Sequence, residues 1–306
     1  MRDRTWLVAC AAALWGTDGL LRKPLADALP PATVVFWEHL IVVLLLLPWL
    51  PAALRAFAAS TGKQKAALVA IGVGASAVAT ALFTAAFKLG DPVTPLVLQK
   101  LQPVFAVLAA YFLLRERVRW TYAAFAVPAL LGAWLLSFPD PTQFRVAALS
   151  SALLALGAAA LWAGGTVLGR LVSTEMAPMH VTTLRFAIGL PASAVVVGVQ
   201  GAPVLVGVDN ALGLVLLAVV PGLLALRLYY LGLQATPVAR ATLAELAFPA
   251  TAALIGVGLL GTTLTATQWV GFAVILGSVT LLSWHERVRK APAVVAYTPT
   301  SRASRS

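Results

Sequence analysis

Two stretches of the sequence place a charge where an apolar helix has no ordinary use for one. Pro92 to Leu114, PVTPLVLQKLQPVFAVLAAYFLL, carries Gln99, Lys100 and Gln102 and then Pro103. Pro237 to Leu260, PVARATLAELAFPATAALIGVGLL, carries Glu245 four residues before Pro249. Each is long enough for a helix to cross a hydrocarbon core of roughly 30 Å at 1.5 Å per residue. A lysine near mid-membrane costs about 3 kcal/mol unless it is paired or faces water, so Lys100 needs a partner or a cavity. A proline gives no N–H, so each of these prolines either breaks its helix and frees a backbone carbonyl for ligand contact or is a passive kink.

Other ionisable groups fall in apolar runs: Asp18, Glu38, His39, Arg185, Arg227 and Arg240. Glu38 lies about five residues, roughly 8 Å, inside its helix, and Lys100 about eight residues, roughly 12 Å. Glu38–Lys100 and Arg185–Glu245 are therefore expected ion pairs. They either line a route and exchange partners with a charged solute, or hold helices together as static pairs. Arg227, in LRLYYLGLQ beside Tyr229 and Tyr230, either binds a carboxylate bidentately or snorkels to the membrane surface. Asp18, Glu38, His39 and Glu245 are the candidates for carrying a coupling proton; for Asp18 a helix-end role near the outer interface is the alternative, and for His39 a plain hydrogen bond to a neighbouring helix. Trp15 and Trp162 are either cavity walls or helix packing. Gln99, Gln102 and Tyr229 complete the candidate substrate-binding or gating set.

The elements that must position these groups follow from composition. Of 306 residues, 60% are hydrophobic and 11% charged, against roughly 25% charged in soluble domains. The apolar residues fall in blocks near 20 residues long: 4–22, 33–50, 66–88, 92–114, 119–138, 147–169, 179–199, 211–233, 237–260 and 265–284. This is an all-α polytopic membrane protein with ten transmembrane helices. The net charge of +11 belongs to alternate loops and the termini, not to a nucleic-acid-binding face. With the N-terminus inside, 14 Lys and Arg fall on inner segments and 4 on outer ones, which predicts cytoplasmic termini in a cell membrane. Cys10 alone offers no disulfide framework and no cysteine metal site. No Gly-Lys-Ser/Thr phosphate loop and no His-Glu-x-x-His motif occurs, so neither an enzyme, a metal site nor a cofactor is expected.

The chain repeats itself. Ala13-Leu14-Trp15-Gly16 returns as Ala160-Leu161-Trp162-Ala163, 147 residues later, and Glu38 meets Arg185 at that offset. Farther along, Pro103 meets Pro249 and Leu135-Leu136-Ser137 meets Leu281-Leu282-Ser283. Five helices per copy is an odd number, so the second copy enters from the opposite side: two inverted five-helix repeats. The expected division is 1–141, 142–285 and a disordered cytoplasmic tail, 286–306.

With these motifs the sequence resembles the drug/metabolite transporter superfamily, in its EamA-type branch. The resemblance runs over about residues 5 to 285, through the ALWG-type openings, Pro31…Phe36-Trp37-Glu38, Pro178…Leu184-Arg185-Phe186, Gly90-Asp91-Pro92…Pro103…Leu113-Leu114-Arg115-Glu116 and Ala235-Thr236-Pro237…Pro249…Leu259-Leu260. One departure stands out: Glu116 has no acidic counterpart at Gly261-Thr262-Thr263. The resemblance implies a ten-helix carrier for small metabolites, commonly an exporter. The resulting expectation is a secondary transporter of an amino acid-like or amphipathic metabolite, working by alternating access with a proton as coupling ion. Its partners are the substrate and the lipid bilayer, with a homodimer left open. Efflux of cationic compounds is the alternative, and a membrane scaffold or sensor without transport is the alternative of another class.

Overall fold

The computed structural model describes residues 4–89, 98–115, 120–138, 140, 142, 149–259, 261 and 263–289. Among these residues the ten apolar blocks are ten helical spans, and no strand occurs. Six are long and apolar enough to cross a membrane, and shorter apolar helices account for others.

The first repeat opens with α1 (Thr5–Trp15) and α2 (Asp18–Ala28), one span broken in its middle. The second span is α3 (Pro31–Leu46) and α4 (Leu50–Ala59), and the third α5 (Gly62–Val69) and α6 (Ala79–Leu89) around a π-helical stretch, Ala70–Val78. A 3₁₀ turn, Gln99–Leu101, leads into α7 (Gln102–Leu114), and α8 (Trp120–Ser137) ends the repeat. In the second repeat α9 (Leu149–Ser173) and α10 (Pro178–Gln200) are continuous. Then come α11 (Ala211–Leu217), a π stretch over Ala218–Leu224, and α12 (Ala225–Leu233). The last spans are α13 (Val238–Ala244) with α14 (Ala247–Leu259), and α15 (Ala266–Arg289).

Several boundaries differ from the sequence reading. The second span runs on to Ala59 instead of ending near residue 50, because a 3₁₀ turn at Leu47–Trp49 puts Pro48 and Pro51 in first-turn positions, where no N–H is missed. Its successor starts at Gly62, set by a capping box between Thr61 and Gln64. The final helix continues to Arg289, past the expected end at 284.

Packing follows the repeat. In the first repeat α1 lies on α12 of the second, and in exchange α9 lies on α6 of the first. The self-related pairs α3 with α10 and α8 with α15 close the bundle. At the α8–α15 crossing Gly132 and Gly271 meet backbone to backbone: a Cβ on Gly132 would stand 2.8 Å from the Gly271 carbonyl oxygen. Small residues permit that approach, and in lipid such close packing takes the place of a hydrophobic driving force.

Candidate functional site

Glu245 sits in the gap between α13 and α14. There the N–H of Leu246 donates to the Leu243 carbonyl at 3.1 Å and that of Phe248 to the Glu245 carbonyl at 3.0 Å, and Pro249 has none to give. The first repeat breaks at the matching place, with the Gln102 N–H donating to the Gln99 carbonyl. The prolines thus put Gln99, not Lys100, in register with Glu245 (an offset of 146).

Three other spans supply partners to the Glu245 carboxylate. The Tyr229 hydroxyl from α12 donates to Oε1 at 2.9 Å. Thr166 Oγ1 from α9 is 3.4 Å from Oε1 and 2.8 Å from the Tyr229 hydroxyl. Gln102 Nε2 from α7 donates to Oε2 at 2.9 Å. Tyr229 and Thr166 are 3% and 4% exposed, so these bonds are made away from bulk solvent. Three oxygens in mutual contact share only two hydroxyl hydrogens, so one contact lacks a proton unless the carboxyl carries it. No Lys, Arg or His among the described residues comes within ion-pair distance of Glu245.

Trp15 forms the wall of this site. Its ring meets Tyr229 at 5.1 Å and 49°, and its indole N–H donates to the Pro221 carbonyl at 3.0 Å. That carbonyl lies in the π stretch, where the wider turn disturbs the regular helical ladder.

The expected Arg185–Glu245 ion pair is not formed. Arg185 Nη1 donates to the Tyr230 hydroxyl at 3.1 Å, and its Nε is buried without a partner among the described residues. The reason is local: Tyr229 and Tyr230 are consecutive on α12, so they point about 100° apart and carry one hydroxyl to each charge. Glu38 is held by Arg22, whose Nη2 donates to it at 3.0 Å; the same guanidinium grips Asp18 through two bonds of 2.7 Å. The Lys100 side chain lies outside the described residues, and with it the expected Glu38–Lys100 pair.

His39 is 4% exposed, faces the Val35 carbonyl through Nδ1 at 2.8 Å, and stacks edge-on with Phe186 at 5.2 Å. Its hydrogen bond thus stays within α3 and does not reach a neighbouring helix. A Cβ on Gly189 would lie 2.7 Å from its ring, so it fills the α3–α10 crossing. Arg227 is exposed and Arg240 is buried, and neither joins Glu245. Trp162 packs on Phe83 at 5.0 Å, and Gln99 is half-buried at the α7 break. Of the candidate set, the structure brings together Glu245, Gln102, Tyr229 and Trp15.

Thr166 and Arg22 escaped the sequence reading. Thr166 lies four residues after Trp162 and shares its helix face, which was the available signal. Arg22 reads as a topogenic charge in sequence, and only the break in the first span turns it toward Glu38.

Paired inverted repeats, broken helices at matching places and a half-buried acid served by both repeats define a membrane transporter. The chain belongs to the EamA-like transporter family, whose model matches residues 5–138 and 149–284. It is 29% identical over 300 residues to the riboflavin transporter ImpX of Fusobacterium nucleatum, covering 90% of this chain and 96% of that one. It is 28% identical over 209 residues to YwfM of Bacillus subtilis, an uncharacterized transporter, covering 68% and 70%. A solved crystal structure superposes with a TM-score of 0.76 at 21% identity, covering 95% of this chain and 100% of that one, which shows the shared fold.

Proposed function

We propose that the chain is a secondary carrier that exports a small polar or amphipathic metabolite by alternating access, with Glu245 as the group that exchanges between a proton and the substrate. The observation that supports this most directly is the Glu245 carboxylate, bonded by Tyr229, Thr166 and Gln102 with no described cation in reach. A carboxyl so placed gains a bond when it is protonated and offers a counter-charge when it is not. An amino acid-like solute would put its ammonium at Glu245 and its carboxylate at Arg185, whose Nε has a donor to give. The aromatic pairs Trp15–Tyr229 and Trp162–Phe83 would flank a ring, and a relative is named as a riboflavin transporter. The 14-to-4 distribution of Lys and Arg supports cytoplasmic termini in the cell membrane.

A second reading is favoured by one observation: an acid among aromatic rings without a described basic partner also suits an organic cation. Flux into proteoliposomes under an imposed pH gradient, screened over metabolite and cation pools, separates the two. Metabolite flux lost in both Glu245→Gln and Arg185→Gln supports the zwitterion carrier. Cation flux lost in Glu245→Gln but intact in Arg185→Gln and Lys100→Ala supports the second reading. Flux indifferent to Glu245→Gln overturns both.

A further inference from the structure

The two ends of the bundle are fastened by different chemistry. The first span breaks at Gly16–Thr17: the Thr17 N–H turns to the Leu14 carbonyl at 3.0 Å, and the Thr17 hydroxyl donates to the same oxygen at 2.7 Å. A tightened turn inside a span is a place where the two halves can pivot. The pivot itself is fixed, because a Cβ on Gly16 would stand 2.6 Å from Thr251 Cβ on α14. Beyond it, α2 is held by the Arg22–Glu38 bond and by Leu25, which packs with Val34, Leu214 and Leu217 and lies against Gly213.

The matching span of the second repeat, α9, is unbroken over 25 residues. At the offset of 147, Asp18 corresponds to Gly165 and Arg22 to Gly169. Those glycines lock α9 to its neighbours: a Cβ on Gly165 would fall 2.6 Å from Ala75 Cβ, and one on Gly169 would fall 2.9 Å from the Tyr230 ring. Close packing of this kind has no solvated alternative. An ion pair does, and the Asp18 and Arg22 side chains are already 26% and 30% exposed. Water can replace each of their bonds as α2 swings away.

The geometry points to α2 as a hinged gate that pivots at Gly16–Thr17, with Arg22 as the latch that closes it onto Glu38. The inference rests on the carrier reading for its purpose, since a gate serves a route. Access at this end then changes by moving one half-helix, whereas the α9 end moves only as a packed body. Asp18 has a defined part: it lies one turn from Arg22, grips its guanidinium from the same helix, and keeps it aimed while Glu38 lets go.

Two measurements test this, in a Cys10→Ser background. In the first, Leu25→Cys is labelled in detergent with a maleimide too polar to enter apolar packing. Adding Arg22→Gln should raise the labelling rate about fivefold, the share of opening that one partly exposed ion pair holds back. The full charge inversion, Asp18→Arg with Arg22→Glu and Glu38→Arg, should return it toward the parent rate. An unchanged rate in Arg22→Gln overturns the latch. In the second, Leu25→Cys and Gly213→Cys are joined by a disulfide in proteoliposomes. Flux should stop on oxidation and return on reduction; flux that persists through the cross-link overturns the gate. Absence of flux in the reduced protein would count against the carrier reading alone, because the labelling arm does not use transport.

Discussion

Trp15 on Tyr229 and Trp162 on Phe83 are the same contact made twice. Each crosses from one repeat to the other, with centroids 5.1 Å and 5.0 Å apart, and the partners correspond at offsets of 147 and 146. The chemistry around them diverges. On the Tyr229 side a hydroxyl meets Glu245 and Thr166, whereas the matching positions on the Phe83 side hold a phenyl ring, Gln99 and Gly19. Shape has been kept in both copies and ionisable chemistry in one. An inverted repeat needs matching shapes so that its two halves can exchange conformations. It does not need two acids, and a second buried carboxylate would add its own cost of several kcal/mol wherever no partner met it.

The largest effect should therefore fall on one side of that comparison. Glu245→Gln should lower substrate flux about a hundredfold, whereas Gln99→Ala, at the matching break, should lower it less than about threefold. Both are read from initial rates in proteoliposomes at equal reconstituted protein. Equal losses in the two variants would mean that the breaks, and not the acid, carry the function.

Tyr229→Phe makes the two aromatic contacts alike. The variant keeps the ring on Trp15 and removes the hydroxyl that donates to Glu245, while Gln102 and Thr166 remain. A hydrogen bond to a charged group contributes about 1.5–3 kcal/mol, so flux should fall about tenfold or somewhat more. Retention of full flux would show that Tyr229 serves only as a wall. Tyr230→Phe, one residue on, touches Arg185 instead and separates the two roles.

The architecture was open to a sequence reading because its signals are long-range and redundant. The apolar blocks, the 147-residue return of the Ala-Leu-Trp motif and the two proline-marked breaks each point to the same ten spans. Glu245, Gln102, Tyr229 and Trp15 were legible for a related reason, since each is a polar or aromatic group in an apolar run. Pairing was not. Opposite charges at similar depths suggested Arg185 with Glu245, but depth fixes one coordinate only, and the direction of each side chain depends on helix rotation. Consecutive tyrosines on α12 split those two charges apart. Arg22 was hidden by the break at Gly16–Thr17, which no proline announces.

A smaller effect tests that break. Gly16→Ala forces a methyl within 2.6 Å of Thr251 Cβ, and overpacking of this kind costs about 1–3 kcal/mol. Its thermal midpoint in detergent should drop by several degrees. Gly164→Ala, near the corresponding point of the unbroken α9, meets nothing within 4 Å and should change the midpoint by about a degree or less. Similar shifts in both would remove the argument that the first span is pinned at its pivot.

The smallest effect is the most pointed. Phe83→Tyr adds to the Trp162 contact the hydroxyl that the Trp15 contact already has. Its position in the repeat offers Gln99 and Gly19 where Tyr229 finds Glu245 and Thr166, so the new hydroxyl meets no carboxylate and no threonine oxygen at the matching places. The Phe83 ring is half-buried, so water can accept the added hydroxyl's hydrogen bond, and flux should change by less than about twofold. A tenfold change in either direction would mean that the Phe83 side also handles polar groups during the cycle. The two aromatic contacts would then be equal partners, and the restriction of polar chemistry to the Tyr229 contact would fail.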